Sequence, residues 1–185
     1  MREMQLHNDI ARVLFSEEQL ARRVAEMGKD IMRDYAHVEG GIVLLSVLRG
    51  AALFMADLAR AIDLPLEMDY LAVSSYGNAA KSSGDVHLQK DVSSPIAGKH
   101  VIVAEDILDS GLTLSRVIDL LRERKPASVE VATLLRKQRP DQADVACKYV
   151  GFECPDEFIV GYGLDYAQRY RNLPYIGVLK PELIS

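Results

Sequence analysis

Two continuous apolar runs of strand length, each followed by a helical segment, place the strongest constraint on the fold. The runs are Ile42–Leu48 and His100–Ala104. A strand without polar alternation is typical of a parallel sheet covered on both faces. Helical patterns over Ala51–Ile62 and Leu112–Arg124 follow the two runs, and Val129–Leu135 predicts a further strand. This alternation predicts an α/β fold with a central, mostly parallel sheet flanked by helices.

An amphipathic helix is predicted ahead of the first apolar run. Ser16, with Gln19 three residues later, indicates a capping box at its start. Apolar residues then recur at helical spacing to about His37, and two glycines at 40–41 end the pattern. Leu66–Val73 predicts another strand. Shorter β-like segments follow at 148–152, 158–162 and 175–179.

Length and composition limit the class of protein. A chain of 185 residues predicts one domain over 1–185. A net charge of −5 argues against a surface that coats nucleic acid or anionic lipid. Two cysteines cannot form a disulfide framework, the N-terminus lacks the apolar core of a signal peptide, and Arg49 and Asp57 interrupt the most apolar stretch. We therefore expect a cytoplasmic protein with no membrane or nucleic-acid partner.

The segment between Glu105 and Thr113 carries the clearest chemical signal. A buried strand runs into carboxylates at Glu105, Asp106 and Asp109, and a helix follows. Backbone N–H groups and hydroxyls of Ser110, Gly111 and Thr113 at the start of that helix are suited to a phosphate. Glu105 and Asp106 would repel a phosphate but suit ribose hydroxyls or a divalent cation.

This segment closely resembles the phosphoribosyl-pyrophosphate (PRPP) loop of type I phosphoribosyltransferases. Further matches are similar to the hypoxanthine-guanine phosphoribosyltransferases: Leu48-Arg49-Gly50, Ser75-Tyr76, Lys137, and the stretch from Val150 through Phe158–Tyr166 to Arg171. The resemblance implies the type I phosphoribosyltransferase fold. It also implies a small hood formed by the N-terminal part and a C-terminal segment of about 150–185, and a flexible flap at about 74–86.

The resemblance implies a purine salvage reaction with Mg²⁺ as cofactor. The 5-phosphoribosyl group of PRPP passes to hypoxanthine, guanine or both, which gives IMP or GMP and pyrophosphate. Asp109 is implied as the general base. Glu105 and Asp106 would hold the ribose hydroxyls and metal. The 5-phosphate would lie in a cradle formed by Ser110, Gly111, Leu112 and Thr113.

The same resemblance implies a base pocket and a pyrophosphate site. Lys137 would donate to the purine 6-oxo group, Phe158 would stack on the base, and Ile159 would offer its backbone to the purine edge. Asp165 would serve the second metal position, near the base and the pyrophosphate. Arg171 and the Arg49-Gly50 loop would bind pyrophosphate, and that loop contains an unusual cis peptide in this family. Ser75 and Tyr76 would belong to the flap.

Two departures from the family pattern and two alternative functions stay open. Many members carry Lys where this chain has Arg49, so a role for that side chain is not implied; Ser110 stands where Thr is common and keeps the hydroxyl. A nucleic-acid-binding regulator on the same fold is one alternative, which the charge of −5 disfavours. A xanthine- or pyrimidine-specific transferase is the other. The family implies a homodimer or homotetramer.

The flap yields a first testable prediction. The segment has no apolar anchor after Tyr76, so little burial offsets the entropy of ordering its backbone, roughly 1–2 kcal/mol per residue. We expect closure over bound PRPP. Amide exchange should therefore slow when PRPP, Mg²⁺ and an unreactive base analogue are added, and Tyr76→Ala should lower turnover at nearly unchanged thermal stability. Equal exchange in both states with full Tyr76→Ala activity would instead indicate a passive hairpin.

Overall fold

A computed structural model describes residues 5–75, 86–139 and 142–184 of the chain. The elements follow in chain order: α1 (Gln5–Asn8), β1 (Ile10–Phe15), α2 (Glu17–Tyr35), β2 (Ile42–Leu48), α3 (Ala52–Ala61), β3 (Leu66–Ser75), β4 (Val86–Lys90), β5 (His100–Leu108), α4 (Leu112–Arg122), β6 (Ser128–Lys137), β7 (Tyr149–Cys154), β8 (Ile159–Val160), β9 (Ile176–Leu179) and a 3₁₀ turn (Pro181–Leu183).

A six-stranded sheet in the order β4-β3-β2-β5-β6-β7 forms the centre of the fold. Its strands are parallel except for β4, which runs antiparallel to β3. The predicted α/β fold with a mostly parallel sheet is therefore confirmed. Strand order reverses between β2 and β5, because β3 extends the sheet on one side of this pair and β6 on the other. Ligands of such sheets bind at the carboxyl ends of the strands beside this reversal.

Helices cover the two faces of this sheet. The side chains of Leu44 and Ile102 pack on the face covered by α2 and α3. Those of Val43 and Val103 pack on the opposite face, with α4. This two-sided burial explains the continuous apolar runs of β2 and β5, since neither face of either strand is left to solvent.

A second, small sheet is built from distant parts of the chain. Its strand order is β1-β9-β8, and both pairings are antiparallel. Tyr170, Leu173 and Leu179 form an apolar cluster beside it. Tyr170 also donates a hydrogen bond of 2.8 Å to the Asp9 carboxylate, which fixes the N-terminal segment against the C-terminal loop.

The helix α2 begins as its sequence predicts. Ser16 N donates to Gln19 Oε1 at 2.8 Å and Gln19 N donates to Ser16 Oγ at 3.4 Å, which completes the capping box. Its buried face is apolar and its other face is polar. Across the described part of the chain, no helix is both long and apolar enough to cross a membrane.

Several elements differ from the sequence-based expectation. The strand β5 was expected to end at Ala104, but it continues to Leu108, because Glu105, Ile107 and Leu108 still pair with β6. Glu105 and Asp106 therefore lie in the paired strand rather than in a loop after it. The elements α1, β1 and β4 were not predicted.

Close packing between α2 and α3 gives a stability prediction. A Cβ added at Gly28 would lie 2.5 Å from the backbone oxygen of Ala61. Overpacking costs about 1–3 kcal/mol, whereas the helix propensity of Ala returns at most about 1 kcal/mol. We therefore expect Gly28→Ala to lower the free energy of unfolding, measured by urea denaturation. The control is Ala25→Gly on the exposed face of α2, which reports the difference in helix propensity between Ala and Gly alone. A higher free energy of unfolding for Gly28→Ala would contradict the prediction, because it would show that α2 and α3 can move apart without loss of stability.

Candidate active site

The carboxyl ends of β2 and β5 meet where strand order reverses, and glycines allow their close approach. A Cβ at Gly50 would lie 1.8 Å from Asp106 Oδ2, so a larger residue would displace the carboxylate. Gly163, with a φ of +102°, packs on the other side, and a Cβ there would lie 2.0 Å from Gly50 O. The Leu48–Arg49 peptide bond, which leads into this contact, is cis. Three distant segments of the chain therefore converge here.

Two adjacent carboxylates on β5 occupy an unfavourable environment for negative charge. Burial of the carboxyl, with a smaller effect of the charge on Asp106, raises the pKa of Glu105 well above its usual value. Burial also raises the pKa of Asp106 to about 6, although hydrogen bonds and the charge of Arg171 act in the opposite direction. Asp106 Oδ1 accepts a hydrogen bond of 2.9 Å from Ile107 N. This pair is poised to accept hydroxyl donors or a cation.

The carboxylate pair fits a hard divalent cation that brings further ligands with it. Glu105 Oε2 is buried and has no hydrogen-bond partner among the described residues. Within the same residues, no group of three or more His, Cys, Asp or Glu side chains could hold a metal by itself. Mg²⁺ is commonly bound by one or two carboxylates together with water and substrate oxygens. Glu105 and Asp106 therefore suit a magnesium ion whose coordination is completed by the substrate.

The loop between β5 and α4 forms an anion-binding turn. Gly111 has a φ of +73° and stands at the N-terminus of α4, where no side chain caps the helix. Leu112 N donates a hydrogen bond of 3.5 Å to Ser110 Oγ, and Leu112 and Thr113 are exposed. A cavity of about 150 Å³ is lined by residues of this loop together with Glu105. Free N–H groups at a helix N-terminus favour an anionic group such as a phosphate.

Asp109 lies in a cluster of two carboxylates and two cations. Arg139 Nη1 is 2.9 Å from Asp109 Oδ1, and Lys137 Nζ is 3.8 Å from Asp109 Oδ2. Lys137, which is buried, also donates to Asp156 Oδ1 at 3.1 Å. This contact holds the pKa of Asp156 below its usual value. The sequence-predicted pair of Asp109 and Lys137 is thus brought together, with Arg139 and Asp156 as additional members.

A single amide joins the turn after β5 to the end of β6. The Gln142 Nε2 group lies within donor distance of three carbonyl oxygens: Leu108 O at 3.2 Å, Asp109 O at 2.5 Å and Lys137 O at 3.0 Å. Asp109 and Lys137 are therefore held in register through their main chains as well as through their side chains.

The C-terminal loop contributes a carboxylate and a guanidinium. Arg171 Nη2 is 2.7 Å from Asp165 Oδ1, and Arg171 Nη1 donates to Gly163 O at 2.7 Å. The charges of both residues act on the pKa of Asp106, which places them beside the β5 carboxylates. Arg171 is thereby directed to the edge where Gly50 and Asp106 meet.

The remaining predicted residues lie at the edge of the site or outside the described ranges. Phe158 is 40% exposed, and its ring meets that of Tyr166 edge-on at 5.2 Å between centroids. Ile159 is buried in β8. Ser75 is the last residue of β3, whereas Tyr76 and the rest of the predicted flap up to residue 85 lie outside the described residues.

Four polar residues at the site were not predicted from the sequence: Arg139, Gln142, Asp156 and Gln168, whose Oε1 accepts hydrogen bonds from Arg49 and Arg171. In the charged run 136–139, Arg136 and Lys137 end β6, and Arg139 turns back to Asp109. Asp156 lies two residues before Phe158, within the stretch from Val150 that resembles the family, and it could have been found from that position. Gln142 carries no signal of its own in the sequence.

Comparison with known proteins shows what the chain is similar to. The phosphoribosyl transferase domain family matches residues 14–167. The hypoxanthine-guanine phosphoribosyltransferase of Bacillus subtilis is 50% identical over 176 residues, which are 95% of this chain and 97% of that protein. The bifunctional protein TilS/HprT of Listeria monocytogenes is 50% identical over 97% of this chain, but the chain spans only 28% of that protein's length. A crystal structure of a hypoxanthine phosphoribosyltransferase from Staphylococcus aureus has a TM-score of 0.94 at 45% identity, with 100% of both chains covered.

The raised pKa of Asp106 predicts a pH-dependent stability. The pKa of Asp106 is about 6 in the folded protein and 3.8 ordinarily. Below about pH 4 the carboxyl is protonated in both states and does not change the free energy of unfolding. Between about pH 4 and 6 its ionisation lowers the free energy of unfolding progressively, and above about pH 6 the loss is constant. Removing the charge with Asp106→Asn should therefore stabilise the ligand-free protein by about 3 kcal/mol above pH 7 in EDTA. The gain should shrink as the pH falls to 5, measured by urea unfolding.

The control for this experiment is Asp119→Asn, which makes the same change at an exposed position of α4. Its effect on unfolding should not change over this pH range. A pH-independent effect of Asp106→Asn would show that Asp106 ionises normally in the folded protein.

Proposed function

We infer that this chain, which belongs to the phosphoribosyltransferase family and within it to the hypoxanthine-guanine phosphoribosyltransferases, is a purine salvage enzyme. It transfers the 5-phosphoribosyl group of PRPP to an imidazole-ring nitrogen of hypoxanthine, guanine or both and releases pyrophosphate. The observation that carries this function is the convergence of two elements at one sheet edge. One is an uncapped helix N-terminus beside Asp109, and the other is the carboxylate pair of Glu105 and Asp106.

The phosphoribosyl half of the substrate binds along the β5–α4 turn. Ser110, Gly111, Leu112 and Thr113 surround the 5-phosphate with N–H groups and hydroxyls. Glu105 and Asp106 accept hydrogen bonds from the ribose hydroxyls. These donors stabilise the negative charge of two carboxylates that lie next to each other and are poorly hydrated. Support for this assignment comes from the 150 Å³ cavity that the turn forms with Glu105.

The purine binds on the β6 side of the same turn. Lys137 donates to the 6-oxo group, Phe158 stacks on the ring and the Ile159 backbone meets the purine edge. Asp109 accepts the purine ring proton as the new C–N bond forms, so its carboxylate exchanges its contact with Arg139 for one with the base. The buried position of Lys137 and its 3.8 Å distance to Asp109 support this arrangement.

The leaving group departs toward the C-terminal loop. Positive charge develops on the sugar and negative charge on pyrophosphate, so cationic groups aimed at pyrophosphate lower the barrier. Arg171 and the Arg49-Gly50 turn supply such groups. The family is generally Mg²⁺-dependent; Mg²⁺ held by Glu105 and Asp106, and at a second position beside Asp165, would neutralise charge on the phosphates. Closure of the flap with Ser75 and Tyr76 keeps water from competing for the sugar.

The wider organisation follows the family. The chain forms one phosphoribosyltransferase domain over 1–185, with the β1-β9-β8 sheet as part of the hood and a flap at about 74–86. A homodimer or homotetramer is expected, which sedimentation measures directly. The cytoplasm suits the two free thiols, Cys147 and Cys154.

Asp109→Asn tests the assignment of the general base. The amide keeps the shape of the side chain but cannot accept the ring proton, a contribution of roughly 10²–10⁴-fold to rate. We expect kcat to fall by that factor with unchanged unfolding, measured in a steady-state PRPP assay. Asp119→Asn on α4 is the matched control and should retain normal turnover. Normal turnover by Asp109→Asn itself would remove this residue from proton transfer.

A panel of free bases with PRPP and Mg²⁺ tests the function. Hypoxanthine and guanine present a 6-oxo acceptor to Lys137, whereas adenine presents a 6-amino donor, which faces the ammonium donor to donor and gains no hydrogen bond from it. We expect kcat/KM for adenine to be at least roughly 10³-fold below that for hypoxanthine. Lys137→Met should reduce the preference for hypoxanthine over adenine, measured as the ratio of their kcat/KM values. Turnover of xanthine or a pyrimidine in place of the 6-oxopurines would favour a transferase of another specificity, and a salt-sensitive gel shift without turnover would favour the regulator.

A further inference from the structure

One neutral side chain lies between two guanidinium groups at the proposed pyrophosphate site. Gln168 Oε1 accepts a hydrogen bond from Arg49 Nη1 at 3.2 Å and another from Arg171 Nη2 at 3.3 Å. The two arginines come from opposite parts of the fold, because Arg49 follows β2 and Arg171 lies in the loop before β9. A single oxygen therefore links two cationic groups that would otherwise repel each other.

The backbone around Gln168 is held in a conformation that few residues adopt. Ala167, Gln168 and Tyr170 have φ values of +49°, +65° and +75°, in the left-handed region. Such conformations cost about 1–3 kcal/mol each and persist where the surroundings impose them. Here Gln168 N donates to Asp165 Oδ2 at 2.8 Å, so the carboxylate that pairs with Arg171 also fixes the turn. The Gln168 amide is thereby aimed between the two arginines.

We propose that Gln168 is a positioning residue for pyrophosphate. It acts through Arg49 and Arg171. Its amide oxygen holds both guanidinium groups in place, and their remaining N–H donors are available to the phosphate oxygens. A guanidinium has five N–H donors. The contact to Gln168 uses one donor of Arg49, and the contacts of Arg171 to Asp165, Gly163 and Gln168 use three of its five. Both groups therefore keep donors for phosphate oxygens. The inference rests on the proposed function, and it assigns the Arg49 side chain a role that its resemblance to lysine-bearing relatives leaves open.

The choice of an amide at this position has a chemical reason. A neutral acceptor orders both guanidinium groups without cancelling their charge, so the positive potential that attracts a diphosphate is retained. Arg171 is already paired with Asp165 at 2.7 Å, which shows that a guanidinium here tolerates an anionic neighbour and still has unused donors. The acceptor oxygen, rather than the amide N–H group, is therefore the functional part of Gln168.

Gln168→Met tests the proposal, because it keeps the length of the side chain and removes the acceptor. We expect the KM for PRPP and the inhibition constant for pyrophosphate each to rise roughly tenfold, which corresponds to a loss of about 1.4 kcal/mol of binding free energy. The KM for hypoxanthine, kcat and the melting temperature should stay near those of the unmodified protein. Gln168→Glu keeps an acceptor oxygen at the same reach but cancels part of the positive charge, so it should restore only part of the lost affinity. Gln89→Met, at an exposed position of β4, is the matched control and should change none of these constants.

Calorimetric titration with Mg²⁺–pyrophosphate separates this proposal from the proposed function, since binding needs no turnover. Weaker binding by Gln168→Met supports the positioning role whether or not purines are converted. Equal binding by Gln168→Met and the unmodified protein overturns it even if the enzyme turns over normally. Equal losses of PRPP and hypoxanthine affinity would also overturn it, because they would indicate a general disturbance of the loop.

A double-mutant cycle identifies the route of action. If Gln168 acts through Arg49, Gln168→Met should weaken pyrophosphate binding less in an Arg49→Met background than in the unmodified protein. Purely additive losses would contradict the link between the two side chains.

Discussion

The parallel pairing of β2 with β5 at the reversal of strand order is the constraint on which the site depends. It brings the backbone of Gly50 against the Asp106 carboxylate so closely that no side chain fits between them. Because β5 remains paired with β6 past Glu105, the two carboxylates are carried by a paired strand rather than by a loop. Their raised pKa values are the electrostatic cost of that placement. The site thus stores an unfavourable charge arrangement that suitable ligands relieve.

Three of the cations around this edge are paired with carboxylates of the protein. On the proposed base side, Lys137 and Arg139 face Asp109 and Asp156. On the proposed leaving-group side, Arg171 faces Asp165, while Arg49 donates to the neutral Gln168. In the proposed reaction, substrate groups replace the carboxylate partners, so binding exchanges ion pairs and leaves few charges to be desolvated alone.

Much of this fold could be predicted because its strands and helices are local patterns. The capping box at Ser16 and the apolar run of β2 need no information from other parts of the chain. The strand β1 could not be found in this way, since it is stabilised by pairing with β9, more than 150 residues away. The end of β5 was misplaced because carboxylates usually mark a loop, and only pairing with β6 keeps Glu105 in a strand.

The same division applies to the site. Asp109, Lys137 and Arg171 were predicted as site residues because they match residues of a known family, whereas the positions of Arg139 and Gln168 follow from the paths of loops. Arg139 lies in a charged run that also fits a solvated surface. Gln168 has no feature in the sequence that marks it, and it reaches the two arginines because the backbone at three residues of its loop is left-handed. Residues that act by holding others carry little chemical signature of their own.

The three carbonyl contacts of Gln142 have a thermodynamic consequence. They join the turn that we propose as the 5-phosphate site to the strand end that carries Lys137, so a shift of one main chain also shifts the other. Coupling of this kind is reciprocal: by whatever factor an occupied phosphate turn tightens the hold on a base, an occupied base pocket tightens the hold on the phosphate by the same factor. The order in which two substrates arrive then changes the rates along each path but leaves the free energy of the ternary complex the same.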